Sequence, residues 1–115
     1  MMNAFETLSV VRVPFPFSDR LAQKRRPAVV LSASDFQRES GHCLLAMITS
    51  AKQSSWPLDW PIQQWSTAGL SQPCTVRFKL FSLDERLILG ALGQLASVDA
   101  AGVQVHLQRL LKLNP

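Results

Sequence analysis

The sequence lacks any long apolar segment. No apolar run is much longer than residues 44–48, far short of the roughly 20 residues that a helix needs to cross a bilayer. The first residues also lack the basic and apolar stretches of a secretory leader. We therefore expect a cytoplasmic protein with no membrane partner.

Cysteine and histidine are scarce, with two of each. Cys43 and Cys74 form neither a CxxC pair nor a zinc-ligand spacing. His42 and His106 are separated by most of the chain, with no cluster of carboxylates near either. We expect two free buried thiols, no metal site and no cofactor.

Low-complexity segments and internal repeats are absent as well. The 115 residues, 47% hydrophobic and 17% charged, fit one globular domain over residues 1–115. The formal charge is +4, and four of the seven positions from 20 to 26 are basic. Concentrated positive charge favours acidic or nucleic-acid partners, although a mildly basic domain is common.

The central feature is a basic run, Lys24, Arg25 and Arg26, that leads directly into the apolar segment 27–31. Pro27 disfavours a helical conformation for the preceding residue, so Arg26 is expected to have an extended backbone at the start of a central strand. A guanidinium held there suits a phosphate or a transition-state charge. The alternative is a solvated loop charge, which we favour for Lys24 and Arg25.

Residues 42–50 predict the next strand, whose apolar stretch ends at Thr49 and Ser50. Neighbouring strands with a compact connection usually pair antiparallel, which brings the start of one beside the end of the other. The pairing places Arg26 near both hydroxyls at one edge of the sheet. The alternative role for these hydroxyls is to satisfy backbone groups of the following turn.

The rest of the pattern is mainly β with two helices. Further strands are predicted over 10–13, ending at a sheet edge, over 58–62, as an edge strand, and over 74–81 and 87–94. Short helical turns are predicted over 36–40, capped by Ser34 or Asp35 and stopped by Gly41, and over 82–86.

A closing helix capped by Ser97 is predicted to pack on the sheet. Its buried face, read from the i, i+4, i+7, i+8 spacing, consists of Val103, Leu107, Leu110 and Leu111. His106 and Arg109 are expected to flank the exposed face.

Aromatic and basic residues supply further candidates for nucleic-acid contacts. Three tryptophans lie within ten positions. Packing is the favoured role for Trp60 and Trp65. Trp56 lies in a polar loop and is the candidate for stacking on a base. In the strand over 74–81, Arg77 and Lys79 are expected to face outward as a second basic edge. They could contact phosphate, although such charges are usually only solvated.

The ordered set of these segments resembles the PemK/MazF family of bacterial toxins over nearly the full chain. The segments that carry the resemblance are VPFPFSD (13–19), KRRPAVVL (24–31), ITS (48–50), AGL (68–70), VR (76–77) and SLD (82–84). The resemblance implies an SH3-like β-barrel with a short inserted helix and a C-terminal helix. It also implies a homodimer that binds single-stranded RNA, a cognate antitoxin, and contact with DNA only indirectly through the antitoxin complex.

The resemblance further implies a metal-independent endoribonuclease. Arg26 matches the family's catalytic arginine, and Thr49 matches the threonine whose hydroxyl holds the scissile phosphate, with Ser50 beside it. Many family members carry an acidic residue shortly after the arginine that Arg77 matches, and this sequence has none there. Asp19 is the nearest candidate to replace it as the acid or base.

Two classes of function therefore stay open. Arg26 with Thr49 favours a toxin ribonuclease. The missing carboxylate favours a non-catalytic binding module on the same fold, either an RNA binder or a toxin that inhibits a topoisomerase by protein contact.

Overall fold

The computed structural model describes residues 4–14, 25–52 and 55–113. Its strands are β1 (Ser9–Pro14), β2 (Arg25–Val30), β3 (His42–Ser50), β4 (Trp60–Pro61), β5 (Cys74–Asp84) and β6 (Gly90–Gln94). The helices are α1 (Ser34–Ser40) and α2 (Ser97–Leu111), and a 3₁₀ turn spans Glu85–Leu87. Neither of these described helices is long and apolar enough to cross a membrane.

The six strands form one antiparallel sheet in the order β4-β5-β3-β2-β1-β6. It curls into a half-barrel with two helices, which confirms the predicted α+β fold. β3 has the predicted bounds, and the predicted antiparallel pairing of β2 with β3 is confirmed. β4 is an edge strand, as its proline predicts.

Several local predictions need correction. β1 is not at an edge, because it pairs with both β2 and β6. β5 runs on to Asp84, so the predicted helical turn over 82–86 is replaced by strand up to Asp84 and by the 3₁₀ turn that its carboxylate caps. Gly41 ends α1, as predicted, and adopts a left-handed conformation, but the N-cap is Ala33 and not Ser34 or Asp35.

Apolar side chains are buried on both faces of the sheet. One face packs with α2 and the segment 62–70 around Val10, Val29, Ile48 and Val76. The opposite face buries a second cluster around Val11, Val13, Ala28, Val30, Leu45 and Met47. Burial on both sides explains why β2 and β3 show almost no polar alternation.

The buried face of α2 differs from the predicted one. Val103 is fully buried, but Leu110 and Leu111 are exposed, and Asp99 is buried instead. His106 is half-buried and not on the exposed face, whereas Arg109 is exposed as predicted. The hydrophobic spacing was misleading because the residues that contact α2 include polar groups of the β4 region, which attract polar partners.

Asp99 is fully buried and lies in the first turn of α2, where the helix dipole favours negative charge. Its carboxylate accepts hydrogen bonds from Trp60 Nε1 (2.8 Å) and from the backbone N–H groups of Gln63 (2.7 Å) and Gln64 (2.9 Å). These three hydrogen bonds compensate for the free-energy cost of removing the carboxylate from water. Asp99 therefore fixes β4 and the following residues against the helix.

Two further contacts from α2 reach the same region. Gly102 allows the Trp60 ring to lie directly on the helix, since a Cβ there would be 2.4 Å from ring atoms. One turn later, His106 Nδ1 donates to the Leu58 carbonyl at 2.7 Å, and its ring meets Trp60 edge-on. The helix thus holds the chain on both sides of position 59.

The variant Asp99→Asn should be destabilised by about 2–4 kcal/mol. The new NH₂ group would face a backbone N–H donor, and the remaining hydrogen bonds would lose their charged acceptor. Urea unfolding followed by tryptophan fluorescence measures this. The control is Asp35→Asn, an exposed carboxylate in the first turn of α1, which should cost less than about 1 kcal/mol. Equal effects for the two variants would contradict a structural role for the Asp99 contacts.

Candidate functional site

The candidate site is a set of polar side chains on one face of the sheet, the face of the second apolar cluster. Residues directly opposite in antiparallel strands share a face, and β2, β3 and β5 align Ala28, Met47 and Arg77 in one row. One row further toward the end of β3, Thr49 lies opposite Thr75. Continuing the β2–β3 register by two residues brings Arg26 opposite Thr49.

Arg26 is held within a strand and not in a loop. β2 begins at Arg25, where Pro14 is the partner on β1, and Arg26 lies opposite Val13. The Arg26 side chain is half-buried and its Nε atom is fully screened from solvent, whereas Arg25 is exposed. A guanidinium fixed in this way can hold an anion with little loss of conformational entropy.

The two hydroxyl residues after the β3 core differ in their surroundings. Thr49 is 7% exposed and has buried Thr75 as its cross-strand neighbour. Ser50 Oγ accepts a hydrogen bond from the backbone N–H of Lys52 at 3.2 Å. Ser50 therefore stabilises the turn, which was the alternative role for it, and Thr49 is the hydroxyl that shares a row with Arg26.

Arg77 does not form the predicted outward, solvated basic edge, because it is buried, with 9% exposure. Its Nε and Nη2 atoms donate to the two carboxylate oxygens of Asp59, at 3.2 and 3.0 Å. Asp59 immediately precedes β4, so the carboxylate that Arg77 binds comes from the segment leading into the neighbouring strand and not from the residues that follow Arg77.

Asp59 was not identified from the sequence. The signal that could have found it is the alternation over 58–62, which puts Asp59 on the face opposite to Trp60 once β4 is paired with β5. The pairing partner, however, is known only from the structure.

Trp56 lies in a tight turn at the edge of this site. The backbone N–H of Asp59 donates to the Trp56 carbonyl at 3.1 Å, with Pro57 second and Leu58 third in the turn. Leu58 has φ of 65°, which is the positive value that a type II turn requires and that glycine usually supplies. The hydrogen bond from His106 to the Leu58 carbonyl helps to hold this unfavourable conformation.

Trp56 is 41% exposed, and two cations lie over its ring. Lys79 Nζ is 5.0 Å and Arg77 Cζ is 5.9 Å from the ring centroid, within the range of cation–π contacts. Trp60 and Trp65 pack against the core, as predicted. Of the other predicted site residues, Asp19 and Lys24 lie outside the described residues.

The thiols are separate from this chemistry. Burial raises the pKa of the Cys43 thiol from 9.0 to about 11, the charge of Glu85 adds to the rise, and a hydrogen bond with Ser32 opposes it. Burial also raises the pKa of Cys74. Both thiols are free and buried, as predicted, and a protonated buried thiol is a poor nucleophile.

The chain belongs to the PemK-like, MazF-like toxin family of type II toxin–antitoxin systems, whose family model matches residues 6–111. This confirms the resemblance drawn from the ordered segments. Comparison with curated proteins gave no match.

Solved structures share the fold at low sequence identity. MazF of Deinococcus radiodurans superposes with a TM-score of 0.74 at 21% identity, covering 96% of this chain and 99% of that one. Toxin MazF-mt6 of Mycobacterium tuberculosis gives 0.73 at 15% identity, covering 93% and 99%. A mycobacterial endoribonuclease in complex with its cognate antitoxin gives 0.74 at 14% identity and covers 99% of both chains.

Native Cys43 and Cys74 should react with iodoacetamide at pH 8 at least about a hundredfold more slowly than in urea, because burial keeps both thiols protonated and inaccessible. Mass spectrometry of timed samples measures the rates. Since the folded pKa of Cys43 lies above its unfolded value, the thiol opposes folding only as the pH rises beyond about 9. Rapid alkylation of the folded protein at pH 8 would show that the thiols are accessible and would contradict their burial.

Proposed function

We propose that this toxin is an endoribonuclease that cuts single-stranded RNA without a metal ion, and that Arg26 and Thr49 act on the scissile phosphate. The observation that supports it best is the register, which puts a strand-held guanidinium and a buried hydroxyl in the same row on one face. Membership of a family of MazF-like toxins supports the same activity.

The reaction is attack of the ribose 2′-oxygen on phosphorus, with the bond to the 5′-oxygen breaking. A base takes the proton of the 2′-hydroxyl, an acid gives one to the departing 5′-oxygen, and the products end in a 2′,3′-cyclic phosphate and a 5′-hydroxyl. Arg26 neutralises the charge that builds on the phosphorane oxygens, and the Thr49 hydroxyl donates to one of them. Asp19 is retained as the proposed acid or base.

The RNA-binding surface is proposed to extend from β2 across the sheet to the turn at Trp56. Lys24, Arg25 and Lys79 contribute phosphate contacts, Ser50 shapes the turn beside Thr49, and Trp56 stacks on a base. Arg77 has a carboxylate partner in Asp59, so its main contribution is to organise this surface.

We also propose that the toxin forms a homodimer, is held inactive by a cognate antitoxin protein, and works in the cytoplasm. The solved MazE–MazF assemblies of Deinococcus radiodurans support the antitoxin as a partner, since this chain shares their fold. The net charge of +4 suits an acidic antitoxin segment as well as RNA.

The second candidate is a non-catalytic binding module on the same fold, which includes an RNA binder and a topoisomerase-inhibiting toxin. It is favoured by one observation: Asp59, the carboxylate of the described site, is engaged by two bonds from Arg77. Both oxygens of this carboxylate already accept hydrogen bonds, so neither is placed to contact a ribose 2′-hydroxyl.

The variant Arg26→Ala should lose about a hundredfold or more in cleavage rate of a long single-stranded RNA in EDTA, because the developing phosphorane charge loses its fixed cation. Gel analysis of timed digests gives the rates. Circular dichroism should show an intact fold, and the control Arg38→Ala, an exposed arginine of α1, should cleave like the wild type. Wild-type cleavage by folded Arg26→Ala would remove Arg26 from the mechanism.

The variant Thr49→Val removes only the hydroxyl and should slow cleavage by about tenfold to a hundredfold, with little change in substrate affinity. The kcat and KM from initial rates test this. Thr67→Val is the matched control, because Thr67 is exposed in a turn, and it should change neither constant. A lower affinity with unchanged kcat would instead make Thr49 a binding residue.

A further inference from the structure

Asp59 connects two parts of the site with a single carboxylate. Oδ1 accepts from Arg77 Nε at 3.2 Å, and Oδ2 accepts both from Arg77 Nη2 at 3.0 Å and from the backbone N–H of Trp56 at 3.0 Å. The paired side chains are only 11% and 16% exposed. The turn that carries Trp56 is therefore tied to the centre of β5.

The hydrogen bonds of Asp59 position Trp56, an aromatic residue that is not part of the core. Trp56 is 41% exposed, yet its backbone N–H donates to the Asp59 carboxylate and its carbonyl accepts from the Asp59 N–H. Lys79 Nζ lies over its ring. An exposed indole with a lysine ammonium over its ring, 5.0 Å from the centroid, combines a surface for base stacking with a cation close to the stacked base.

We propose that Asp59 is the positioning residue of a base-stacking subsite, in which the Trp56 ring takes one unpaired RNA base and Lys79 takes the adjacent phosphate. The proposal rests on the proposed function in that its ligand is single-stranded RNA. Asp59 touches neither the base nor the reacting atoms; it acts by keeping the turn in the binding conformation. Because the turn is already ordered, little conformational entropy is lost when RNA binds to it.

The expected consequence is a change in binding and not in chemistry, since Asp59 immediately precedes β4, which β5 separates from the strands that carry Thr49 and Arg26. Asp59→Asn keeps the size and one acceptor oxygen but loses the ion pair with Arg77. It should raise KM by about tenfold, the scale of one lost base-stacking contact, while kcat stays within about twofold. Asp59→Glu, which keeps the charge, should recover part of the loss.

The direct test compares binding of two 2′-O-methyl oligonucleotides, an oligoadenylate and a fully abasic chain of the same length, which carry the same phosphates and resist 2′-oxygen attack. Wild-type protein should prefer the oligoadenylate, whereas Asp59→Asn and Trp56→Ala should each lose about tenfold on the oligoadenylate and almost nothing on the abasic chain. The double variant should lose no more than either single one. Asp35→Asn is the control carboxylate.

Unchanged oligoadenylate binding by folded Asp59→Asn would overturn the proposal, and so would an equal loss on both oligonucleotides, which would show a general charge effect. Should Asp59→Asn fail to fold, Asp59→Glu takes its place, with a smaller loss that is again confined to the oligoadenylate. A wild-type protein that binds but does not cut RNA would defeat the ribonuclease proposal alone. The binding comparison would still decide the role of Asp59.

Discussion

The arrangement of the site depends on one buried carboxylate. Asp99 is fully buried in the first turn of α2 and gathers three N–H donors from Trp60, Gln63 and Gln64. β4 has only two residues and lies at the edge of the sheet, so it would be weakly held by strand pairing alone. Because the helix anchors β4, the residues just before it, from Trp56 to Asp59, have a fixed position next to β5.

The site combines two kinds of support. Arg26 and Thr49 are on neighbouring strands of the sheet, where both faces are packed and little movement is allowed. Trp56 is on a turn whose geometry is maintained by hydrogen bonds to Asp59 and from His106. Rigid strands suit the stabilisation of a transition state, while an exposed aromatic on a braced turn suits contact with a flexible single strand.

Patterns that depend on neighbours along the chain were readable from the sequence. The bounds of β3, the stop at Gly41 and the edge position of β4 follow from local residue types. The antiparallel pairing of β2 with β3 follows from the compact connection between them. Contacts between distant segments were not. Arg77 was assigned to an open face because its partner, Asp59, is 18 positions away, and α2 was given an apolar face although Asp99 and His106 bind backbone groups of the β4 region. A polar residue is buried when a distant partner satisfies it, and periodicity carries no information about that partner.

In the proposed reaction, a strand-held cation and a hydroxyl promote attack by the RNA's own 2′-oxygen. The measurement that tests it most directly is the chemical identity of the ends produced when purified protein cuts RNA in the presence of EDTA. Attack by the 2′-oxygen should leave 2′,3′-cyclic phosphates and 5′-hydroxyls at discrete positions. Ends with 5′-phosphates, or RNA left intact by the folded protein, would contradict it.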